Sequence, residues 1–290
     1  MTPQVGSRAL AAMVIGLAAV ALMTGCSLSD TPTRPKNAAV SSDPAPRSAV
    51  SARMNASRVR STDPDWRSAQ AEVYADQQQL AHRLAGLSNQ ALRGHVLRAG
   101  NPRRWEVALT FDDGPHPRFT PKLLRILREQ RVHATFFVVG FMAERYPELV
   151  KAIAADGHAV GNHTYSHPNL TKLSEDEVLV EWEADNRVIE RLTGVRPRYC
   201  RPPGGDFNST TLRAAAALGL TVVLWTDDPA DYSNPGDVAL MRREIRALRR
   251  GAIVLLHDGS QDTVDTLAAF IEAVRRRGFE FVTLDRLRQR

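Results

Sequence analysis

Two adjacent carboxylates, Asp112 and Asp113, close the segment Thr110-Phe111-Asp112-Asp113-Gly114-Pro115, directly after an apolar run. Anionic side chains at the end of a buried strand are costly unless a cation compensates them. The Gly-Pro that follows makes a sharp exit turn and holds the backbone still. Alone, the segment reads equally well as a surface turn. Farther on, His163-Thr164-Tyr165-Ser166-His167 sets two imidazoles four residues apart. That spacing lets both face one cation if the segment is helical or tightly turned. Two neutral His and one carboxylate, for which Asp113 is the candidate, make a three-ligand zinc set with a position open for water. His82, His95, His133 and His158 have no such partner and read as surface or packing residues. No Glu lies inside the His pair, which argues against a His-Glu-x-x-His metalloprotease.

Something must carry these residues to one place. From Arg103 onward, short apolar runs alternate with helical periods. The strand-like runs are Trp105–Phe111, Ala134–Gly140, His158–Asn162, Pro197–Cys200, Thr221–Thr226, Ala252–His257 and Phe279–Val282. Helical stretches fall near 119–131, 147–157, 174–194, 208–219, 235–250 and 261–278. Alternation of this kind predicts a parallel sheet with helices outside. Asp112 and Asp113 follow the first run, His163 the third, Arg201 the fourth and Asp228 the fifth, while His257 ends the sixth. An open doubly wound sheet gathers its site at one switch point. A barrel draws on the C-terminal ends of many strands. The expectation is therefore an α/β barrel, and the roughly 190 residues from 103 onward suit seven units better than the usual eight of about 250 residues.

Upstream, Arg8, the apolar run Ala9–Leu22 and Met23-Thr24-Gly25-Cys26 describe an export signal over 1–25, too short for a comfortable membrane span. Its Gly25-Cys26 ending resembles a bacterial lipobox, which makes Cys26 the expected site of lipidation and a membrane anchor. Residues 26–62, rich in Ser, Ala, Pro and Arg, read as a flexible tether. Asp63-Pro64 reads as a helix start, and Trp66, Val73, Leu80, Leu84 and Leu87 continue one amphipathic helix within 63–102, expected to pack on the domain that follows. The second cysteine, Cys200, reads as a small core residue rather than half of a disulfide framework. With 43% hydrophobic and 24% charged residues the chain is globular. Its +6 formal charge comes overwhelmingly from Arg, in no run interleaved with aromatics, so nucleic acid is not an expected partner.

Five segments, in order, resemble the motifs of the polysaccharide deacetylase family, or NodB-homology domain, over residues 103–290. Thr110–Pro115 is similar to the first and His163–His167 to the second. Arg201-Pro202-Pro203-Gly204-Gly205 is similar to the third, with Gly204 where the family often has Tyr. Asp228-Pro229-Ala230-Asp231-Tyr232 is similar to the fourth, with Tyr232 replacing Trp, and Leu255-Leu256-His257 to the fifth. The resemblance implies a distorted (β/α)7 barrel, in agreement with the strand pattern. It implies Asp113, His163 and His167 as ligands of zinc, or of another divalent metal such as cobalt. It also implies Asp112 as general base, oriented by Arg201, and His257 as general acid, supported by Asp231. The Gly204 N–H would stabilise the oxyanion, Leu255 and Tyr232 would line the acetyl pocket, and Asp228 would support the network.

The implied activity is removal of N-acetyl groups from a cell-wall polysaccharide, with peptidoglycan N-acetylglucosamine favoured. Export and an anchor place the enzyme beside the wall, facing wall or periplasm, and the Asp-Asp-Gly-Pro form resembles the glucosamine-directed branch. A chitooligosaccharide deacetylase and an acetylxylan O-acetyl esterase are the alternatives within the family. An inactive wall-binding module is the alternative outside catalysis, against which the full set of base, acid and ligands argues.

Overall fold

The longest strand sets the frame. In the computed structural model, which describes residues 64–75, 77–229, 231 and 245–288, Glu106–Gly114 runs as one nine-residue strand, buried along nearly its whole length. A strand covered on both faces is what a parallel sheet wrapped in helices requires. All described residues belong to one compact unit, Pro44–Arg290. The expected leader, the tether, Cys26, Asp63, Tyr232 and most of the helix expected over 235–250 lie outside the described residues.

The strands are β1 (Val96–Leu97), β2 (Glu106–Gly114), β3 (Thr135–Val138), β4 (Ala159–Asn162), β5 (Tyr199–Cys200), β6 (Thr221–Val223), β7 (Ala252–His257) and β8 (Glu280–Phe281). Every pairing is parallel, in the order β1-β6-β5-β4-β3-β2-β7. Strand β8 pairs with the first residues of β2, below the stretch that β3 occupies. The sheet curls until Asp227, just past β6, bridges Val254 of β7, with Leu255 N donating to Asp227 O at 3.0 Å. The result is the expected distorted parallel barrel. All seven expected strands form, most of them shorter than their apolar runs. β1 is an addition, because two apolar residues carry no periodic signal.

Helices cover the outside: α1 (Pro64–Ala75), α2 (Gln77–Ala85), α3 (Asn89–Gly94), α4 (Thr120–Glu129), α5 (Gly140–Arg145), α6 (Pro147–Ala155), α7 (Glu175–Thr193), α8 (Ser209–Ala217), α9 (Gln261–Arg276) and α10 (Leu284–Arg288). Among the described residues no helix is long and apolar enough to cross a membrane. Helix α7 starts from a reciprocal Ser174–Glu177 capping box and stops at Gly194 in the left-handed region. Helix α1 packs as expected: Trp66, Ala69 and Val73 are buried, and the Trp66 ring lies 5.6 Å from that of Tyr165.

Strand parity decides which side chains meet. Val107, Leu109 and Phe111 of β2, Phe136 and Val138 of β3, and Ala252, Val254 and Leu256 of β7 join the helices in one apolar layer. The alternate residues Ala108, Phe137, Tyr199, Val223 and Ile253 form a second cluster inside the sheet, closed by Leu284 and Leu287 of α10. Side chains alternate along a strand, so Thr110, Asp112, Leu255 and His257 share the inner face. That parity is the link from fold to site.

Candidate metal and catalytic site

The expected strand end at Phe111 moves in the structure. Strand β2 continues through both aspartates to Gly114, with its register to β3 shifted between Phe111 and Gly114. Asp113, inside this irregularity, takes a φ of 70°. A bulge re-aims a side chain, so the two neighbouring carboxylates need not point to opposite faces. Asp112 stays buried among the inner residues, and Asp113 turns toward the histidines.

Asp113 Oδ1 lies 3.3 Å from His163 Nε2 and 3.1 Å from His167 Nε2. Their donor atoms all fall within 4.8 Å of one another. His163 Nδ1 donates to the Arg201 carbonyl at 2.7 Å, which leaves the Nε2 lone pair facing the carboxylate. Two ring nitrogens and one carboxylate oxygen converging on one point, with a tautomer fixed from behind, fit a divalent cation. Burial alone would raise the Asp113 carboxyl, but hydrogen bonds and charge from His163 and His167 outweigh it and hold Asp113 well below the usual carboxylate range. For His163, burial opposes the cation, and the charges of Asp112 and Asp113 reverse that into a raised proton affinity. These are the signs of a negative centre waiting for positive charge.

The loop carrying the two histidines is held by α7. Asn162 Nδ2 donates to Trp182 O at 2.8 Å and to Asn186 Oδ1 at 2.9 Å. His163 N donates to Asp185 Oδ2 at 3.0 Å, and Tyr165 N to Glu181 O at 3.1 Å. Ser166 gives both its N–H and its hydroxyl to the Glu181 carboxylate, at 2.9 and 2.5 Å. Thr164 and His167 sit at φ of 69° and 55°, conformations that non-glycine residues keep only when surroundings enforce them. Gly140 makes room on the other side, since a Cβ there would come within 2.7 Å of the Tyr165 ring. Glu181 and Asp185, four apart on a helix, have the spacing of a solvated face, yet both are fully buried. No sequence signal separates the two cases. Burial pushes the Asp185 carboxyl well above its ordinary range.

Asp112 faces a different partner. Arg201 Nη1 donates to Asp112 Oδ1 at 2.7 Å and to Thr110 Oγ1 at 2.8 Å, and Nε donates to Val223 O at 3.1 Å. The guanidinium is wholly buried, with Phe137 4.3 Å from Cζ. It remains a cation that neutralises Asp112. Asp112 Oδ2 is free of Arg201 and stands 3.8 Å from His163 Nε2. Across the site, His257 Nδ1 meets Asp231 Oδ1 at 2.7 Å, while Asp231 Oδ2 accepts the His257 backbone N–H at 2.8 Å and the Thr263 hydroxyl. Burial works against the His257 cation. The bond to Asp231 and the charges of Asp231, Asp112 and Asp113 push its pKa up to about 9.

Of the other expected residues, Leu255 is buried opposite Thr110 on the inner face, and Asp228 is half-buried. Gly204 lies exposed on the rim with a φ of 66°, a conformation that favours glycine. Cys200 is buried in β5, as a core residue should be. His82 and His133 are exposed, His95 bonds to Leu220 O, and His158 is buried with its pKa lowered to about 4 by desolvation and by His133. None joins the ligand cluster. Besides the α7 residues, Thr110, Thr263 and Asp258 belong to the site's surroundings. Asp258 is buried, accepts the Thr120 hydroxyl at 2.5 Å, and has its carboxyl pushed by burial up to about 7.

Known proteins resemble this chain in sequence and fold. The family model described as "Polysaccharide deacetylase" matches residues 99–223. A peptidoglycan-N-acetylglucosamine deacetylase of Bacillus cereus is 38% identical over 190 residues, covering 64% of this chain and 69% of the relative. This chain belongs to the polysaccharide deacetylase family. A chitooligosaccharide deacetylase of Bradyrhizobium is 41% identical over 196 residues, or 62% of this chain and 90% of the relative. The crystal structure of a peptidoglycan N-acetylglucosamine deacetylase superposes with a TM-score of 0.65 at 38% identity, covering 67% of this chain and 93% of that one. The protein is thus an enzyme, a hydrolase of the polysaccharide deacetylase type.

Proposed function

We propose that this deacetylase removes the N-acetyl group of N-acetylglucosamine residues in peptidoglycan, with a divalent metal, zinc first, held by Asp113, His163 and His167. The observation that carries the reading is the division of labour among ionisable groups. Three ligands converge on one point. One carboxylate, Asp112, is paired with a buried cation instead. One histidine, His257, on the strand beside it, is bonded to the Asp231 carboxylate, which raises its proton affinity.

A dication bound by the three ligands supplies Lewis acidity toward water and the acetyl carbonyl. The rest falls to the protein's own groups. Asp112 takes a proton from the attacking water at Oδ2, because Oδ1 is committed to Arg201. The Gly204 N–H donates to the oxygen that gains negative charge. As the C–N bond breaks, His257 passes its proton from Nε2 to the amine nitrogen, leaving acetate and a free amine. An amide needs that proton more than an ester does, since an amine is the poorer leaving group. Leu255, buried on the inner face, lines the space for the acetyl methyl, a role that the family resemblance also gives to Tyr232. Export with a lipid anchor at Cys26 is part of the same proposal, supported by Gly25-Cys26 after an apolar run.

The peptidoglycan-directed relative supports the substrate. The chitooligosaccharide deacetylase, at 41% identity, favours short chitin fragments as the second reading. Acetate release from peptidoglycan, chitooligomers and acetylxylan, with and without prior chelation, separates them. Peptidoglycan should give the highest kcat/KM, and chelation should abolish turnover until zinc is returned. Preference for acetylxylan, or full activity after complete chelation, would overturn the proposal.

A further inference from the structure

At the pole opposite the catalytic rim the structure carries a group of residues that deacetylation leaves unused. Because the strands are parallel, residues just ahead of β2, β7 and β8 gather there. Trp105 is 45% exposed, one of three large apolar side chains so exposed among the described residues. Arg250 lies over its ring, Cζ 4.1 Å from the centroid, and the ring packs edge-on to Phe279 at 5.0 Å. Arg277 covers Phe279, and Arg275 lies 5.9 Å from Phe281 while donating to Gln130 O, next to exposed Arg131. Arg103 and Arg249 are exposed beside them.

Among the described residues, the carboxylates of this region are already engaged. Glu106 faces Arg104 and Arg286, Glu280 faces Arg286, Asp156 faces Arg128 and Glu272 faces Arg276. The charge of Arg249 also reaches the buried Asp227. What remains toward solvent among the described residues is a net positive group, Arg103, Arg131, Arg249, Arg250 and Arg275, on the pole that carries the exposed indole. This group is poorly placed to steer substrate. Seven residue steps of β2 separate Trp105 from Asp112, about 23 Å at the usual rise, well beyond the screening length of about 8 Å at physiological salt.

Guanidinium groups bind phosphate oxygens in a fork and shed water readily, and an indole with one apolar face settles at headgroup depth. We infer that this pole docks on an anionic phospholipid surface, with Trp105 among the headgroups and the arginines on their phosphates. The catalytic rim then faces away from the bilayer. The inference needs neither the anchor at Cys26 nor the choice of glycan, and it fails independently of both.

The test uses the full chain on vesicles whose lipids carry bromine close to the headgroup. Trp105 emission is isolated by subtracting the Trp105→Phe signal, since the protein has 4 Trp. Quenching is expected on phosphatidylglycerol-rich vesicles and not on phosphatidylcholine alone. A triple Arg103→Gln, Arg249→Gln, Arg250→Gln variant should weaken that interaction about 100-fold, at roughly fivefold per arginine. Its thermal midpoint and its acetate release from soluble chitooligomers should stay unchanged. Equal quenching on both vesicle types, or none on the anionic ones, overturns the inference. So does a Trp105 response to soluble poly(glycerol phosphate) with no response to vesicles, which would make the partner an anionic polymer.

Discussion

Replacing Asp231 with Asn leaves the size of the side chain and removes one charge, so it isolates what that charge does for His257. Asp231 contacts both Nδ1 and the backbone N–H of His257, and the His257 side chain is only 16% exposed. With the carboxylate present, the imidazole pKa is about 9 against an ordinary 6.5. A displacement of that size corresponds to on the order of 3 kcal/mol. The acid must be protonated to work, so activity should persist up to the folded pKa and fall above it. In Asp231→Asn the fall should begin near about 6.5, because the bond and charge of Asp231 are gone while the charges of Asp112 and Asp113 still offset part of the desolvation. At pH 6 the variant would then differ by less than about twofold, and at pH 8 by roughly 30-fold. The assay is kcat/KM for acetate release from a soluble chitooligomer across the pH range. A nearby dication repels the imidazolium and lowers both profiles, so the readout is the displacement between their basic limbs. The stability sign agrees: the pairing stabilises the fold fully below about 6.5 and is lost as pH rises through about 9. The gap in thermal midpoint between the two proteins should therefore narrow in alkali. Superimposable basic limbs, with activity lowered by one factor at every pH, would refute a charge effect and leave Asp231 as a mere support.

The two adjacent aspartates should separate. Asp112→Asn should keep its metal and lose about 10²–10⁴-fold in turnover, whereas Asp113→Asn should lose metal; elemental analysis beside acetate release checks this, and the opposite pattern exchanges the roles. Glu181→Ala should weaken zinc affinity by about 10–100-fold through release of the Ser166–His167 turn, with Glu181→Gln intermediate; unchanged affinity in chelator competition would show that α7 does not position the ligands. Asp258→Asn should stabilise the metal-free protein above neutrality. A rise from 3.8 to about 7 in a fully buried carboxyl costs on the order of 4 kcal/mol once it ionises. Wild type loses this contribution as pH climbs between those values, so the gap in denaturant midpoint between variant and wild type should widen across that range.

How much of this was legible beforehand depends on the kind of signal. Strand runs are marked by their apolar composition, and polar residues at their ends point to a barrel. Asp113, His163 and His167 could be grouped from residue type and spacing, and the structure does bring them together. The extent of β2 was misjudged because charged residues read as the end of a strand, whereas here Arg201 and the histidines let both carboxylates stay inside it. Of the single helix expected around 63–87, residues 64–75 and 77–85 are helical, with α3 beyond, and α5 and α10 are too short to carry a periodic pattern. The largest omission is the grip of α7 on the histidine loop. Glu181 and Asp185 carry the same pattern as a solvated helix face, and only the three-dimensional burial of both distinguishes them. Thr263 was invisible for a related reason, since a hydroxyl reaching a carboxylate 32 residues away leaves no local trace.

Cys200 has a use that its role as packing does not suggest. It is sealed in β5, one residue before the carbonyl that fixes His163, and burial pushes its thiol well above the ordinary range. A thiol so placed is inert to alkylation until β5 leaves the sheet, because only the thiolate reacts and only an opened strand admits reagent. The rate at which a small alkylating agent modifies Cys200 under native conditions therefore times the opening of the wall behind the ligands. Ligand binding that tightens the site should slow that clock. Enzyme, substrate and inhibitor can all be compared on it without an engineered label.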